Sequence, residues 1–304
     1  MKLFSFILAL LLISSSALAK DTALILPAGP GSTLDLVGRT LAVGYKKATN
    51  KDLIPENRPG GDMLIGFSAF QKDENSILLG AMTLHAFNYH FRSDPINYTP
   101  DDFYNVSLVG WQPQIWYASA ESGIRTPQDL VKKLPSSTKN FIAGDNTLNF
   151  VNADAFLAHY DKHQKIKKVR HKTSTDVTTA VAGGFVDVGV GTLTPSVLAL
   201  VQQGKLFLIG SSATSTITVN GISIPSIGSN LNIPQFNGGY VISLNPKLPK
   251  DLKEQIKKDF YSVLQNPETK AELEKLGLIY VGTNQTDTDK ILKNYRDTVG
   301  RYKQ

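Results

Sequence analysis

Apolar and polar positions along the chain fall into alternating blocks that predict strands followed by helices. An apolar run at 23–27 is typical of a buried strand, and a glycine-rich turn at 29–33 follows it. Apolar residues then recur at helical spacings of three and four, at Leu34, Val37, Leu41, Tyr45 and Ala48. A short strand at 53–56, a helix through Phe67 and Phe70 and an apolar strand at 77–81 complete a βαβαβ series, which favours a parallel sheet.

A second series of the same kind begins with the apolar stretch at 106–120. A helix opens at Thr126-Pro127, and strands are predicted near positions 141, 169, 186 and 207, with helical stretches between them. Serine, threonine, glycine and asparagine crowd residues 211–239; a strand at 240–244 and helices at 252–264 and 267–276 follow. This alternation predicts two α/β domains, with the loops at the carboxyl ends of the strands on one side of each sheet.

The first 19 residues predict a cleavable signal peptide. Lys2 gives a positive start, residues 3–13 an apolar run, and Ala17-Leu18-Ala19 a small-residue cleavage site. The apolar run is shorter than the roughly 20 residues that a membrane span needs, which weakens the alternative of an anchor, and no other stretch is long enough. We therefore expect an exported protein that begins at Lys20 and is soluble.

Composition limits the chemistry that the exported chain supports. It has no cysteine, which excludes disulfides, thiol nucleophiles and thiolate metal sites, so stability must come from an ordinary packed core. Removal of the leader leaves 285 residues (304 − 19), enough for two domains. The formal charge falls from +6 to +5 without Lys2, and the basic residues are spread along the chain, so nucleic acid is not an expected partner.

The turn after the first predicted strand has the build of an anion-binding cradle. Gly29 and Gly31 allow backbone N–H groups to approach a ligand, while Ser32 and Thr33 offer hydroxyl groups at a helix start that attracts negative charge. The segment lacks the third glycine of a dinucleotide fingerprint and the Gly-Lys pair of a P-loop, which disfavours phosphate cofactors. A plain strand-to-helix turn remains the alternative.

Two further loops place hydroxyl groups between a strand and a helix. They are the segments Gly144-Asp145-Asn146-Thr147 and Lys172-Thr173-Ser174-Thr175-Asp176. Each loop either receives a carboxylate or simply caps its helix. Their recurrence at matching strand ends favours a binding site, whereas the adjoining basic run at 167–172 is interpreted as a solvated strand edge.

Motifs for catalysis or metal binding are weak. No serine has the two glycines of a hydrolase elbow. His159 and His163 stand four apart, a metal-compatible spacing, but the glutamate of a His-Glu-x-x-His pattern is missing between them. His85 and His90, five apart, are expected to act independently. We expect neither a metal nor a cofactor.

Several motifs in a fixed order carry a family resemblance. Residues 26–39 form a Pro-rich and Gly-rich loop that ends in Asp-x-x-x-Arg, and the further motifs are Glu56-Asn57-Arg58-Pro59-Gly60-Gly61 with Ile65-Gly66, Ser107-Leu108-Val109-Gly110 and Ala182-Gly183-Gly184-Phe185-Val186-Asp187-Val188. Over nearly the whole mature chain, these motifs resemble the periplasmic solute-binding proteins of tripartite tricarboxylate transporters, the Bug or TctC-type receptors.

The resemblance implies an α/β, two-lobed periplasmic-binding-protein fold (type II-like). Each lobe would be a mostly parallel sheet flanked by helices, with the ligand cleft between the lobes. The first lobe would comprise residues 20–110 and 236–304, and the second lobe residues 111–235. The implied function is a periplasmic receptor, not an enzyme, that captures a small carboxylate such as a di- or tricarboxylate and delivers it to the membrane components of the transporter. We expect the receptor to be a monomer.

The resemblance also implies a set of ligand-binding residues. In the first lobe they would be Ala28, Gly29, Pro30, Gly31, Ser32, Thr33, Thr83 and His85. In the second lobe they would be Asp145, Asn146, Thr147, Asn149, Thr173, Ser174, Thr175, Asp176 and Thr192. Asp35 and Arg39, four apart, are interpreted instead as a helix pair that fixes the first loop.

The chain departs from the family pattern in the second lobe. Residues 144–149 read Gly-Asp-Asn-Thr-Leu-Asn where many relatives have a Gly-Ser-Ala-Gly-x-Gly-Ser loop, and His171 stands where tyrosine is usual. Asp145 would repel a bound carboxylate unless it faces away, is protonated, or accepts a bond from a ligand amine or hydroxyl. Two alternative functions stay open: an exported enzyme that uses Asp145, His171 or Asp176 as acid and base, and a sensory or scaffold protein.

Overall fold

Two large β-sheets, each flanked by helices, and a small two-stranded sheet at 217–224 organise the computed structural model, which describes residues 22–92, 94–136, 141–160 and 165–301. The signal peptide predicted for residues 1–19 lies outside the described residues. The strands are β1 (Thr22–Leu26), β2 (Leu53–Asn57), β3 (Ile77–Ala81), β4 (Tyr104–Gln112), β5 (Ile115–Ser119), β6 (Phe141–Gly144), β7 (Lys167–Arg170), β8 (Val188–Gly191), β9 (Leu206–Ser211), β10 (Ile217–Val219), β11 (Ile222–Ile224), β12 (Gly238–Leu244) and β13 (Ile279–Tyr280).

The helices mostly follow the strands, as the alternation of the sequence predicts. They are α1 (Thr33–Thr49), α2 (Leu64–Lys72), α3 (Asn88–Phe91), α4 (Pro127–Lys133), α5 (Thr147–Tyr160), α6 (Ser174–Ala182), α7 (Pro195–Gln202), α8 (Ile227–Leu231), α9 (Lys250–Gln265), α10 (Pro267–Lys275) and α11 (Gln285–Gly300). A π-helical turn, Thr83–Phe87, leads into α3. Among the described residues, no helix combines the length and the apolar character needed to cross a membrane.

The two sheets are mixed rather than mostly parallel. Their strand orders are β13-β4-β12-β3-β1-β2 and β7-β6-β8-β5-β9. Parallel pairing is confined to β2-β1-β3 and β7-β6-β8. The reason is the path of the chain: β5 enters the second sheet from the first and β12 returns, so each runs opposite to both of its neighbours. The α/β class and the two-sheet organisation are confirmed.

Capping residues start the helices where the sequence predicts them. The Ser32 side chain caps α1 by accepting a bond from the Asp35 N–H, and Thr126 and Asn266 cap α4 and α10 ahead of a proline. The apolar stretch predicted at 106–120 is divided between β4 and β5. The basic run includes β7, which is an edge strand, as its interpretation as a solvated edge requires.

Apolar clusters cover both faces of each sheet, and we refer to the first and second sheets with their helices as the first and second lobes. A further cluster joins the lobes. It packs Leu148 and Val151 of α5 against Phe87 and Phe236. This contact holds the start of α5 against the first lobe, at the edge where the predicted binding loops lie.

Candidate functional site

Two hydrogen-bonded contacts join the carboxyl edge of the first sheet to that of the second. At one contact, the Thr33 hydroxyl, after β1, donates to the Thr192 hydroxyl, after β8 (3.3 Å). At the other, Asp62 accepts bonds from the Thr147 hydroxyl (3.1 Å) and the Arg170 guanidinium (3.3 Å). Because β6 lies between β7 and β8, the loop after β6 is held between the two contacts and faces the first lobe. The loops around this cleft are called the first jaw (residues 28–33) and the second jaw (residues 145–149, 173–176 and 192).

The first jaw is a loop whose backbone is held by side chains at both ends. Gly31 has φ +77°, a conformation that glycine adopts without strain, and its N–H donates to the Asp35 carboxylate (2.8 Å). The Asn57 side chain donates to the carbonyl of Ala28 (3.0 Å) and holds the other end of the loop. Pro30 and Gly31 are exposed at the tip, and nothing lies within 4 Å of the place where a Cβ on Gly29 or Gly31 would stand. A ligand therefore has access to this part of the backbone.

Asp35 fixes the first jaw from behind. It is buried, with 2% of its surface exposed, and its carboxylate accepts bonds from Arg39 and Asn57 at 3.0 Å each in addition to that from Gly31. Burial by itself raises the pKa of Asp35, but the hydrogen bonds from these partners outweigh it and hold the pKa below its ordinary value. The interpretation of Asp35 and Arg39 as a pair that fixes the loop is confirmed.

The structure separates Thr83 and His85, which were predicted together. Thr83 is buried in the first position of the π-helical turn, two residues beyond β3 and beside the end of β1. The His85 ring points into the first lobe, where it lies 4.5 Å from the ring of Phe103 and against Gly80. Burial, with the charge of Arg296, lowers the pKa of His85 to about 3. The imidazole is thus a neutral core group that the structure does not bring to the jaws.

Asn149 organises the second jaw from inside. Its side-chain oxygen accepts bonds from the backbone N–H groups of Asp145 (3.0 Å) and Asn146 (3.3 Å), and its amide donates to Gln114 (2.8 Å). The Asn146 side chain in turn accepts a bond from the Asn149 N–H (3.1 Å). Asn149 is 1% exposed, so it positions the loop, and Thr147 is bonded to Asp62 of the first lobe.

Asp145 lies half-buried in the middle of the second jaw. Its carboxylate accepts one bond from the Asn146 side-chain amide and one from the Ser174 hydroxyl, each at 3.0 Å. Burial raises the pKa of Asp145 above its ordinary value; the bond from Ser174 and the charge of Arg170 act in the opposite direction, and the charge of Asp62 adds to the rise. The carboxylate therefore has neutral partners only, in contrast to Asp35.

The loop from β7 to α6 supplies the rest of the second jaw. Thr173 and Asp176 form a reciprocal capping box at the start of α6, with bonds of 3.1 and 3.2 Å between each side chain and the backbone N–H of the other. Thr175 is exposed beside them. The Nε2 atom of His171 is buried without a hydrogen-bond partner among the described residues. Capping thus accounts for Thr173 and Asp176, while Ser174 is turned to Asp145.

Two tyrosines that the sequence did not single out flank the cleft. Tyr240 on β12 and Tyr117 on β5 are both buried, and Asp145 is near enough that its charge adds to the rise that burial causes in the pKa of each hydroxyl. A hydrogen bond with Thr33 acts in the opposite direction on Tyr240, and one with Thr178 on Tyr117. Tyr240 is thus linked to both Thr33 and Asp145, whereas the Tyr117 ring packs against Gly189 inside the second lobe. The sequence carried no signal for them, since each lies within an apolar strand.

The cross-lobe contact at Asp62 was also missed. Asp62 follows the predicted Pro-Gly-Gly turn, has φ +50°, and pairs with Arg92 within its own lobe (3.3 Å) as well as with Arg170. No group of three His, Asp or Glu side chains suited to a metal ion occurs in the parts of the chain that the structure describes. The His159–His163 pair falls partly outside them, because His163 is not among the described residues.

Known proteins resemble this chain both in sequence and in fold. The sequence model of the family described as "Tripartite tricarboxylate transporter family receptor" matches residues 37–304. Among proteins with curated functions, none matches the sequence of this chain. Solved structures share the fold, and the two-lobed periplasmic-binding-protein architecture expected from the sequence is confirmed.

Three similar structures are receptors or ligand complexes. A protein of Rhodopseudomonas palustris with adipate has a TM-score of 0.82 and 17% identity, over 93% of this chain and 96% of that one. The malate-bound MatC from the same organism has a TM-score of 0.77 and 16% identity, over 93% of this chain and 98% of that one. The periplasmic binding protein BugD has a TM-score of 0.80 and 15% identity, over 92% and 95%.

Proposed function

Because the chain belongs to the family of tripartite tricarboxylate transporter receptors, and is a receptor rather than an enzyme, we propose that it captures a small carboxylate between its two lobes. The observation that carries the proposal is the meeting of two helix-start loops, one from each sheet, at a cleft closed by direct bonds between the lobes. Helix starts favour anions, and open α/β sheets bind ligands beyond the carboxyl ends of their strands. The adipate and malate seen with similar folds fit the same ligand class.

The proposed contacts divide between the jaws. In the first jaw, the backbone of residues 28–33 and the hydroxyls of Ser32 and Thr33 hold a carboxylate, with Thr83 beside them. In the second jaw, Ser174 and Thr192 complete the enclosure. Asn149 acts as a positioning residue in this arrangement, because its side chain holds the backbone of Asp145 and Asn146. The His85 ring packs inside the first lobe and is not among the proposed contacts.

Ligand capture requires two lobes that close on the solute. We take the lobes to be residues 20–110 with 236–304, and 111–235. A ligand stabilises the closed form only if it binds that form better than the open one, and a carboxylate that touches both jaws meets this condition. The closed form then presents the solute to the membrane components of the transporter. The receptor works in the periplasm, after removal of its signal peptide, as a monomer.

Thermal unfolding with a panel of small carboxylates tests the proposed function. At a hundredfold excess over Kd a ligand adds about 2.7 kcal/mol to the stability of the folded protein, which raises Tm by roughly 5 °C or more for a protein of this size. Carboxylates such as succinate, glutarate, adipate or their amino derivatives should produce this shift, whereas the matched neutral diamides should not. Equal shifts by acids and amides, or none from the whole panel, would overturn the proposal.

A pair of matched variants locates the site. Thr33→Val removes a hydroxyl group from the first jaw at nearly constant volume and should weaken the tightest carboxylate about tenfold. Thr49→Val makes the same change at the far end of α1, where the hydroxyl donates to the Tyr45 carbonyl and accepts from the Lys51 N–H, and it should leave the affinity unchanged. Calorimetric titration of the two variants with one ligand checks both expectations.

A further inference from the structure

The cleft carries a negative charge in its second jaw that the first jaw lacks. Asp145 follows β6, which lies between β7 and β8, and the residues at the ends of both neighbouring strands touch the first lobe. Asp145 is therefore held opposite the first jaw and cannot turn away without loss of its bond to Ser174. Asp35, behind the first jaw, is buried, its carboxylate is bonded to Arg39, and it does not face the cleft.

Donor groups that would attract an anion to the second jaw are already in use. The backbone N–H groups of Asp145 and Asn146, at the entry to α5, both donate to the Asn149 side chain. The next loop is similarly closed, since the Thr173 N–H donates to Asp176. Internal capping leaves fewer N–H groups for a carboxylate. The first jaw uses the N–H groups of Gly31 and Asp35 in the same way, so what sets the second jaw apart is the added charge of Asp145. The second jaw thus offers acceptors more than donors.

The Asp145 carboxylate has unused acceptor capacity. Its two oxygens have about four acceptor positions, of which two are filled, by Asn146 and Ser174. Among the residues that the structure describes, no cation forms an ion pair with it: the Arg170 guanidinium bonds Asp62 and the main-chain oxygen of Asp145. A half-buried anion that has no ion-pairing cation is completed by a ligand that supplies one.

We propose that Asp145 makes this receptor selective for ligands that bear an ammonium group as well as a carboxylate, with the carboxylate on the first jaw and the ammonium on Asp145. The inference rests on the proposed function and narrows its ligand class to amino-substituted carboxylates. The ammonium donates to the free acceptor positions of Asp145 while Ser174 and Asn146 keep their bonds. A plain dicarboxylate brings its second negative charge to the same place and is repelled.

Calorimetric titration with ligand pairs of one carbon skeleton tests the inference. The pairs are succinate with aspartate, glutarate with glutamate, and adipate with 6-aminohexanoate. For at least one pair the wild type should bind the ammonium-bearing member tenfold or more tightly than its partner. Asp145→Asn keeps the shape and the bond from the Asn146 amide, and its own amide can donate to the Ser174 hydroxyl, which then accepts. In this variant the ratio should fall to threefold or less. Asp129→Asn, the same change at the start of α4 in the same lobe, should keep the wild-type ratio.

The outcomes separate this inference from the proposed function. No binding of any panel member by the wild type would overturn both. Tight binding of plain dicarboxylates, with no preference for the ammonium-bearing partners, would overturn the inference alone and leave the receptor function in place. An equal preference in Asp145→Asn and wild type would also overturn it, because the selectivity would then come from another group. Circular dichroism and unfolding curves of each variant establish that it is folded.

Discussion

Asp35 and Asp145 occupy similar places in the two lobes, yet their surroundings give them opposite properties. Asp35 lies in the first turn of α1, the helix after β1, and Asp145 lies between β6 and α5, the helix after that strand. Asp35 has an arginine, an asparagine amide and a backbone N–H around its carboxylate, and its pKa is lowered. Asp145 has one hydroxyl and one amide as side-chain partners, and burial raises its pKa.

The difference shows that the hydrogen-bonding partners of a carboxylate, together with its burial, decide what the acid does. Burial acts to raise the pKa of both carboxylates, and only at Asp35 do the hydrogen-bonding partners outweigh it. A fully satisfied carboxylate holds a loop in shape. One that lacks a cation leaves charge and acceptor positions for something that comes from outside, which is why we assign Asp35 to structure and Asp145 to ligand selection.

The largest expected effect is the loss of stability when the Asp35 carboxylate is removed. Asp35→Ala leaves the Gly31 N–H without its acceptor, removes one of the two acceptors of the Asn57 amide and removes the ion-pair partner of Arg39. We expect the free energy of unfolding to fall by about 2–4 kcal/mol, measured by urea denaturation. A loss of less than about 0.5 kcal/mol would contradict the structural role.

A smaller effect, on ligand affinity, is expected at the contact of Asp62 with Arg170 and Thr147 between the lobes. Asp62→Asn tolerates the positive φ and weakens the ion pair with Arg170, so closure should become less favourable and the tightest carboxylate should bind about tenfold more weakly. Asp94→Asn is the matched control, because Asp94 pairs with Arg92 without a bond to the second lobe. Similar affinities for these two variants would show that the bridge does not contribute to closure.

Replacement of Asp145 should not lower the free energy of unfolding, in contrast to replacement of Asp35. A carboxyl group whose pKa is raised on folding destabilises the folded protein when it is ionised, so Asp145→Asn should leave the free energy of unfolding at pH 7 unchanged or higher by up to about 1 kcal/mol. Urea denaturation without ligand gives the value. A destabilisation like that of Asp35→Ala would mean that Asp145 is a structural residue too.

The stability difference between wild type and each aspartate variant should also depend on pH. With a lowered pKa, Asp35 stabilises the protein above the ordinary value of 3.8, and this contribution is lost as the pH falls through the folded-state pKa. With a raised pKa, Asp145 favours folding in its neutral form, present below 3.8 and lost as the pH rises through its folded-state pKa. Between pH 7 and pH 4 the gap should therefore shrink for Asp145→Asn, whereas the gap for Asp35→Ala should hold and shrink only when the pH falls below 3.8. A gap that widens for either variant would refute the assigned direction.

Local signals in the sequence were enough to predict most strands and helices. The capping residues Ser32, Thr126 and Asn266 are next to the periodic segments that they start, so each helix start is a short-range feature. Helix α11 was missed, although Asn284 accepts a bond from the Asp287 N–H and Leu292 and Val299 are buried at helical spacing. Its largely polar surface hid that spacing.

The candidate site was predictable only in outline. Loops at strand ends follow from the order of the elements, but the roles of Asn149, Thr147 and His85 depend on partners far away in sequence, namely Gln114, Asp62 and Phe103. The mixed pairing of the sheets has the same origin, because it is set by two passages of the chain between lobes. A sequence pattern reports which residues lie near a strand end, and not which way each side chain turns.

A crystal structure with the tightest carboxylate of the panel tests the central claim most directly. We predict one ligand between the lobes, with a carboxylate within about 3 Å of donors in residues 28–33 and a second contact in the second jaw. A carboxylate bound outside this cleft, or bound by the second jaw alone, would contradict it.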